Sequence, residues 1–213
     1  MRNAANVWWR TLLYIHRSGY LTVWGTLCWA VASLPILTAP AAWAGLVKMM
    51  HAAQTQPTSD LNVFWQGFRE NLGRGLLLTL LNLVIISINV SNLIAYSDEP
   101  GVLMGLLRAI WLLALIYWFS IQLYLWPLFY EMREPSLWGA LRNAALMVAL
   151  NPVFTIGLWM GILLVAAIST ILVALWVLVT GGVFATLASV AVLNRLQVQG
   201  LRPSRTSTAT HQS

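Results

Sequence analysis

GLLLTLLNLVIISINVSNLIAYSDEPGVLMGLLRAIWLLALIYWFSIQLYLWP, residues 75 to 127, decides the fold. Two apolar runs of more than 20 residues flank the acidic stretch SDEPG. About 20 helical residues cross a hydrocarbon core roughly 30 Å thick, and Pro100 with Gly101 favours a tight turn between the two runs. The spacing predicts two membrane helices, Gly75 to Tyr96 and Val102 to Pro127.

The rest of the chain has the same character. Of its 213 residues 59% are hydrophobic and 8% charged, against roughly 25% charged in soluble domains, which excludes an ordinary soluble fold. Further apolar runs begin at Tyr20 and Val153. The first, Tyr20 to Leu37, is broken by Pro35 and Pro40 and predicts another crossing. A signal peptide is its rival, with Ala42, Trp43 and Ala44 as an A-x-A-like site, but the remaining chain is too apolar for a soluble product. AAWAGLVKMM follows and ends at Lys48 and His51. It is too short for a full crossing and is expected to return as a short or re-entrant limb. Val153 to Leu196 would measure about 66 Å as one helix, so it must fold back, with Gly181 and Gly182 as the expected turn. The single cysteine, Cys28, lies in the first apolar run and reads as a small buried hydrophobe.

Three amphipathic segments sit between these runs: residues 1 to 19, LNVFWQGFREN after Ser59 or Asp60 as a helix cap, and Leu137 to Leu150 between EMREPS and the break at Asn151 and Pro152. Twelve Lys and Arg against six Asp and Glu give a charge of +6. Cations collect on the cytoplasmic side of membrane proteins. If AAWAGLVKMM returns and the last run forms a hairpin, every Lys and Arg except Arg108 faces the cytoplasm. The expected fold is therefore all-α: a polytopic helical membrane protein of about five to six membrane helices, arranged as three hairpins with amphipathic interfacial helices. Both termini are cytoplasmic. Residues 1 to 199 form one domain, and 200 to 213, rich in Ser and Thr, a disordered tail. The basic excess then reflects topology and anionic lipid rather than nucleic acid.

The second and third amphipathic segments align through Arg69 and Arg142. Trp65 then falls on Trp138, Gly67 on Ala140 and Phe68 on Leu141, which suggests a repeated unit of interfacial helix plus hairpin. Trp9 and Arg17 before the Tyr20 run suggest a degenerate third copy.

PILTAPAA from Pro35, FWQGFRENL with Phe64, Trp65, Phe68 and Asn71, and ALRNAALMVALNP with Arg142, Asn143, Ala144 and Pro152 follow one another in order. In these motifs, between about Tyr20 and Leu196, the chain resembles the bacterial YesL-type membrane proteins, a domain of unknown function. The resemblance implies a small helical protein of the bacterial cytoplasmic membrane, in a family with some members encoded beside carbohydrate uptake and breakdown genes. It carries over no catalytic residue. Lys48, Met49, Met50 and His51 depart from the more basic helix end of that pattern.

Several polar residues in or near the spans have two readings. Arg108, ten residues after Asp98, is expected to snorkel to the outer interface and meet Asp98 and Glu99, with anion or substrate binding as the alternative. Asn82, Asn89 and Asn92 lie along one side of a helix and suit interhelical hydrogen bonds better than a solute path. Gly157 and Gly161 form a small-x-x-x-small helix contact. Lys48, Met49, Met50 and His51 read as a helix end rather than a soft-metal site, and His16 and His211 have no partner at ligand spacing, so no cofactor or metal is expected. Glu131, Arg133 and Glu134 suggest a solvated turn. Trp8, Trp9, Trp43, Trp65, Trp126 and Trp138 are expected to anchor at the interface, while Trp24, Trp29, Trp111, Trp118 and Trp176 pack inside. No acid is expected deep in a span, which leaves no pair for acid and base catalysis. The leading expectation is a noncatalytic accessory protein in the lipid bilayer, bound to a membrane transport complex or to its own copies. A small transporter or channel is the alternative, and a membrane-embedded enzyme ranks third.

Overall fold

The computed structural model of the chain describes residues 2–17, 19–56, 59–171 and 180–200. The described residues are all-helical, without a strand among them. We number the α-helices α1 Arg2–Arg17, α2 Gly19–Ala32, α3 Ala39–Thr55, α4 Leu61–Glu70, α5 Leu72–Ala95, α6 Val102–Glu131, α7 Leu137–Leu150, α8 Pro152–Ile171 and α9 Gly181–Val198, with a short 3-10 turn at Ile36–Thr38. By length and composition three of them, α5, α6 and α9, can cross a membrane. The bent pair α7 and α8 makes four if it counts as one span.

The sequence dictates most helix boundaries. Asp60 Oδ1 accepts from the Val63 amide at 3.3 Å and starts α4, while Ser136 Oγ accepts from the Gly139 amide at 3.1 Å and starts α7. Gly101 takes a φ of 122° in the α5–α6 turn, a value that side-chain-bearing residues rarely adopt. Asparagine marks both later junctions between amphipathic and apolar helices. Asn71 Nδ2 donates to Gly67 O at 2.8 Å and Asn151 Nδ2 to Met147 O at 3.2 Å, so each side chain adds a second bond to the carbonyl that its own backbone amide already reaches, and closes the helix end on itself. At the second junction Pro152 adds its own bias, because the residue before a proline avoids helical geometry. The bend there is 97°.

Two expectations about the first third of the chain are corrected. The Tyr20 to Leu37 run does not form one continuous helix: α2 ends at Ala32 after 14 residues, about 21 Å. Pro35 drives Leu34 out of helical geometry, and Thr38 Oγ1 donates to Ala32 O at 2.6 Å, which secures the chain reversal. The following limb is longer than expected. α3 runs 17 residues, with Pro40 in its first turn where a missing amide hydrogen costs nothing. It passes Lys48 and His51, and the polar linker begins only after Thr55. α6 likewise continues through Pro127 to Glu131, past its expected end. Gly181 and Gly182 also differ from expectation. They lie in the first turn of α9 against Thr22, Thr26 and Trp29 of α2, and the residues just before them, 172–179, lie outside the described residues.

α3, α6 and α9 touch one another and form the centre of the core. Ala41, Ala42, Ala44, Leu46, Val47 and Met49 of α3 are wholly buried. The amphipathic helices brace this centre in a ring: α4 packs on α3, α7 on α6, and α1 on α9. Taking α1–α3, α4–α6 and α7–α9 as three units, each first helix leans on the last helix of the unit before it, and the ring closes from the third unit to the first. The middle helices keep a common register. The fourth and eighth residues of α2 are Thr22 and Thr26, which meet α9; Thr26 Oγ1 accepts from the Gly182 amide at 2.8 Å. In α5 they are Gly75, seated on Ala41 of α3, and Thr79, which donates to Leu37 O at 3.0 Å. In α8 they are Thr155, 3.1 Å from Tyr124 of α6, and Trp159, which donates to Ser120 Oγ at 2.8 Å. The expected Gly157 and Gly161 contact also has its partner: Ala4 lies on Gly157 and the Trp8 indole on Gly161, so α1 docks against α8 as well as α9.

Candidate functional site

Polar side chains gather at the end where α4 meets α5 and α6 runs out. Asn71, almost wholly buried, donates to Tyr130 Oη at 3.1 Å, and Tyr130 donates to Ala44 O of α3 at 2.9 Å. Arg74 donates to Asn71 Oδ1 at 3.2 Å and to Glu70 O at 3.3 Å, and its guanidinium lies 5.2 Å from the centre of the Phe129 ring. One turn back, Lys48 Nζ pairs with Glu70 at 2.6 Å while Gln66 donates to the other carboxylate oxygen at 2.8 Å. The Lys48 bond holds the Glu70 carboxyl below its usual range. His51 Nε2 stands 3.0 Å from Glu131 Oε1, with both side chains mostly shielded. α3, α4, α5 and α6 are thus tied together at one end by hydrogen bonds.

Several side chains singled out from the sequence lie elsewhere. Arg108 reaches the α5–α6 turn as expected, but it donates to backbone carbonyls: Ser97 O at 2.7 Å and Glu99 O at 3.3 Å from its terminal nitrogens, and Met104 O at 3.3 Å from Nε. No ion pair joins it to the Asp98 or Glu99 carboxylates among the described residues. The free carbonyls beyond a helix C-terminus carry partial negative charge and attract a cation. Asn82 makes interhelical bonds, accepting at Oδ1 from Trp118 Nε1 at 2.8 Å and from Gln122 Nε2 at 2.9 Å. Asn89 donates within its own helix to Ile85 O at 2.8 Å, and Asn92 is half-buried on the same stripe. Trp65, Arg69, Trp138 and Arg142 are all exposed, while Gly67 and Ala140 are buried beneath them. The two aligned helices therefore bury and expose matching positions.

Other expectations change. Glu131 is not in a solvated turn but meets His51. Trp126 is 1% exposed and packs in the core instead of anchoring, whereas Trp24 is 47% exposed. The side chain of His16, and Trp176, His211 and the tail from residue 201, lie outside the described residues.

Asn71 entered the sequence reading only as part of the FWQGFRENL motif, and Arg74 and Tyr130 were not singled out. The first two stand in FRENLGR, whose crowding of polar residues at a helix junction was a usable signal; Tyr130 lay hidden among aromatic neighbours. Arg195 was also missed. It is 9% exposed, and its guanidinium carbon sits 3.6 Å from the centre of the Phe154 ring. Arg74 is the third residue of α5 and Phe154 the third of α8, so two successive units place a cation on an aromatic ring at the same level with the partners exchanged. Corresponding positions of these two units therefore match at the polar end of the molecule as well.

Comparison of the chain with protein-family models, curated proteins and solved structures gives no match.

Proposed function

We propose that this chain is a noncatalytic integral protein of a bacterial cytoplasmic membrane that supports another membrane component, with carbohydrate uptake as the process it assists. The observation that carries this reading is how its polar side chains are used. Asn82, Trp118 and Gln122, Trp159 and Ser120, and Asn71 and Tyr130 join helix to helix. What is left outward is a Trp and Arg face on α4 and α7 and broad apolar faces on α5 and α6. Such faces suit lipid headgroups, acyl chains and the helices of a partner. The link to carbohydrate rests on the YesL-type resemblance alone. In this reading the three units are three membrane hairpins with both termini cytoplasmic, and α3 lies in a part of the bundle that other helices surround.

Purification in mild detergent is expected to recover a transport protein with the chain, and deletion is expected to lower sugar uptake. Recovery of the chain alone together with unchanged uptake overturns the proposal. A transporter in its own right is the second reading, favoured by the repeated units. Solute flux through proteoliposomes holding the pure chain distinguishes it. Cysteines placed at 57, 99 and 135 and labelled from each side test the orientation.

A further inference from the structure

Arg195 poses a problem of charge. Its side chain is nine-tenths buried, its Nε is shielded from solvent without an acceptor, and the guanidinium makes no hydrogen bond or ion pair among the described residues. The comparison with Arg74 is direct, because that guanidinium lies against Phe129 and also donates to Asn71 and Glu70. Arg195 has the ring without the acceptors. Stacking on an aromatic face and the α9 C-terminus each offset part of the charge, but neither accepts the five guanidinium hydrogens.

The chain has no carboxylate side chain to spare for it. Its six acids are Asp60, Glu70, Asp98, Glu99, Glu131 and Glu134, and all of them lie among the described residues. Asp60 caps α4, Glu70 pairs with Lys48, and Glu131 meets His51. Asp98 and Glu99 sit at the opposite end of α6, and Glu134 is exposed in the loop before α7. A largely buried cation whose Nε has no acceptor is costly to hold, so a counter-anion from outside the chain is the economical solution. The level of Arg195 indicates its chemistry. Phe154 stands just past the 97° bend where amphipathic α7 turns into apolar α8, and a junction of that kind suits the headgroup level of a bilayer, where phosphates lie. Arginine's planar fork matches phosphate with paired hydrogen bonds.

We propose that Arg195, held by Phe154 at the meeting of α8 and α9, binds a phosphate group, supplied by a phospholipid headgroup or by a soluble phosphate ester. The test uses the full chain in dodecyl maltoside, titrated with phosphatidylglycerol, with diacylglycerol as the phosphate-free control, and separately with inorganic phosphate. Binding is read by native mass spectrometry and by the shift in melting temperature. A saturable complex with phosphatidylglycerol alone identifies a lipid site; one with inorganic phosphate as well identifies a site open to soluble esters. In either case Arg195→Gln is expected to weaken binding roughly ten- to hundred-fold, Arg195→Lys less, and the exposed control Arg142→Gln hardly at all. The wild-type titration decides even if Arg195→Gln fails to fold. The proposal is overturned if the wild type binds neither probe, if diacylglycerol binds as well as phosphatidylglycerol, or if Arg142→Gln weakens binding as much as Arg195→Gln.

Discussion

The α5–α6 pair and the α2–α3 pair hold the same place in successive units, yet α5 and the first half of α6 face outward while α3 is enclosed. Large residues such as Leu80, Leu83, Ile110 and Leu113 are more than half exposed on α5 and α6. α3 by contrast is buried along most of its length, and its contacts run through small residues: Gly45 against α4, Ala41 against Gly75 of α5. α9 resembles α3, with 67% of its most apolar window buried against 0% for α6. Hydropathy reports removal from water and is silent on whether lipid or protein does the removing. Small residues carry that second message, because they let backbones approach where no aqueous hydrophobic effect drives association.

The strongest way to break this contrast is to add bulk to a glycine of each kind. A Cβ on Gly45 would stand 2.7 Å from Phe64 O and 3.0 Å from Phe68 N, both backbone atoms that cannot move aside, whereas nothing lies within 4 Å of Gly105 in α6. Gly45→Leu is expected to cost about 3 kcal/mol or more and to abolish the monodisperse peak in size-exclusion chromatography. Gly105→Leu should leave the peak unchanged. Next in size is Asn82→Leu, which strands the Trp118 and Gln122 donors and is expected to lower stability by about 1–2 kcal/mol. Asn89→Leu loses one bond inside a single helix and should shift the melting temperature less. Arg108→Leu removes the cation that holds the α5–α6 turn and should cost about 0.5–1 kcal/mol, visible as faster proteolysis between Ser97 and Gly101. The smallest effect belongs to Glu70. Its folded pKa is lowered, so the stability it adds is present above the unfolded carboxylate pKa and is lost as pH falls through the folded value. Melting curves taken from neutral to acid pH should therefore drop less steeply for Glu70→Gln, and equal slopes would show that the Lys48 pair contributes nothing.

Helix positions were legible wherever chemistry is local. The α7 bounds, the Asp60 cap and the break at Asn151 follow from capping and proline geometry, which involve neighbours in the chain. The alignment of Trp65 with Trp138 suggested a repeat, and the two helices bury Gly67 and Ala140 at matching positions. What the sequence could not reveal was closure, since the contact of α1 with α9 depends on residues far apart in the chain. The same distance hid the Tyr130 to Ala44 bond and the Phe154 face beneath Arg195. Arg108 shows an intermediate case. Its destination could be read from the acidic turn, but its acceptors could not, because backbone carbonyls leave no mark in the residue pattern.

The docking of α1 on α9 also has a meaning in time. Val7 and Thr11 are buried, and their helix packs on α9, made about 180 residues later in the chain. At roughly 5–20 residues per second of synthesis, α1 waits roughly ten to thirty-five seconds before α9 exists to receive it. During that interval its apolar face must rest on something else, and the membrane surface is at hand. Closure of the ring through α1 is therefore a late event, set by the making of α9 rather than of α1.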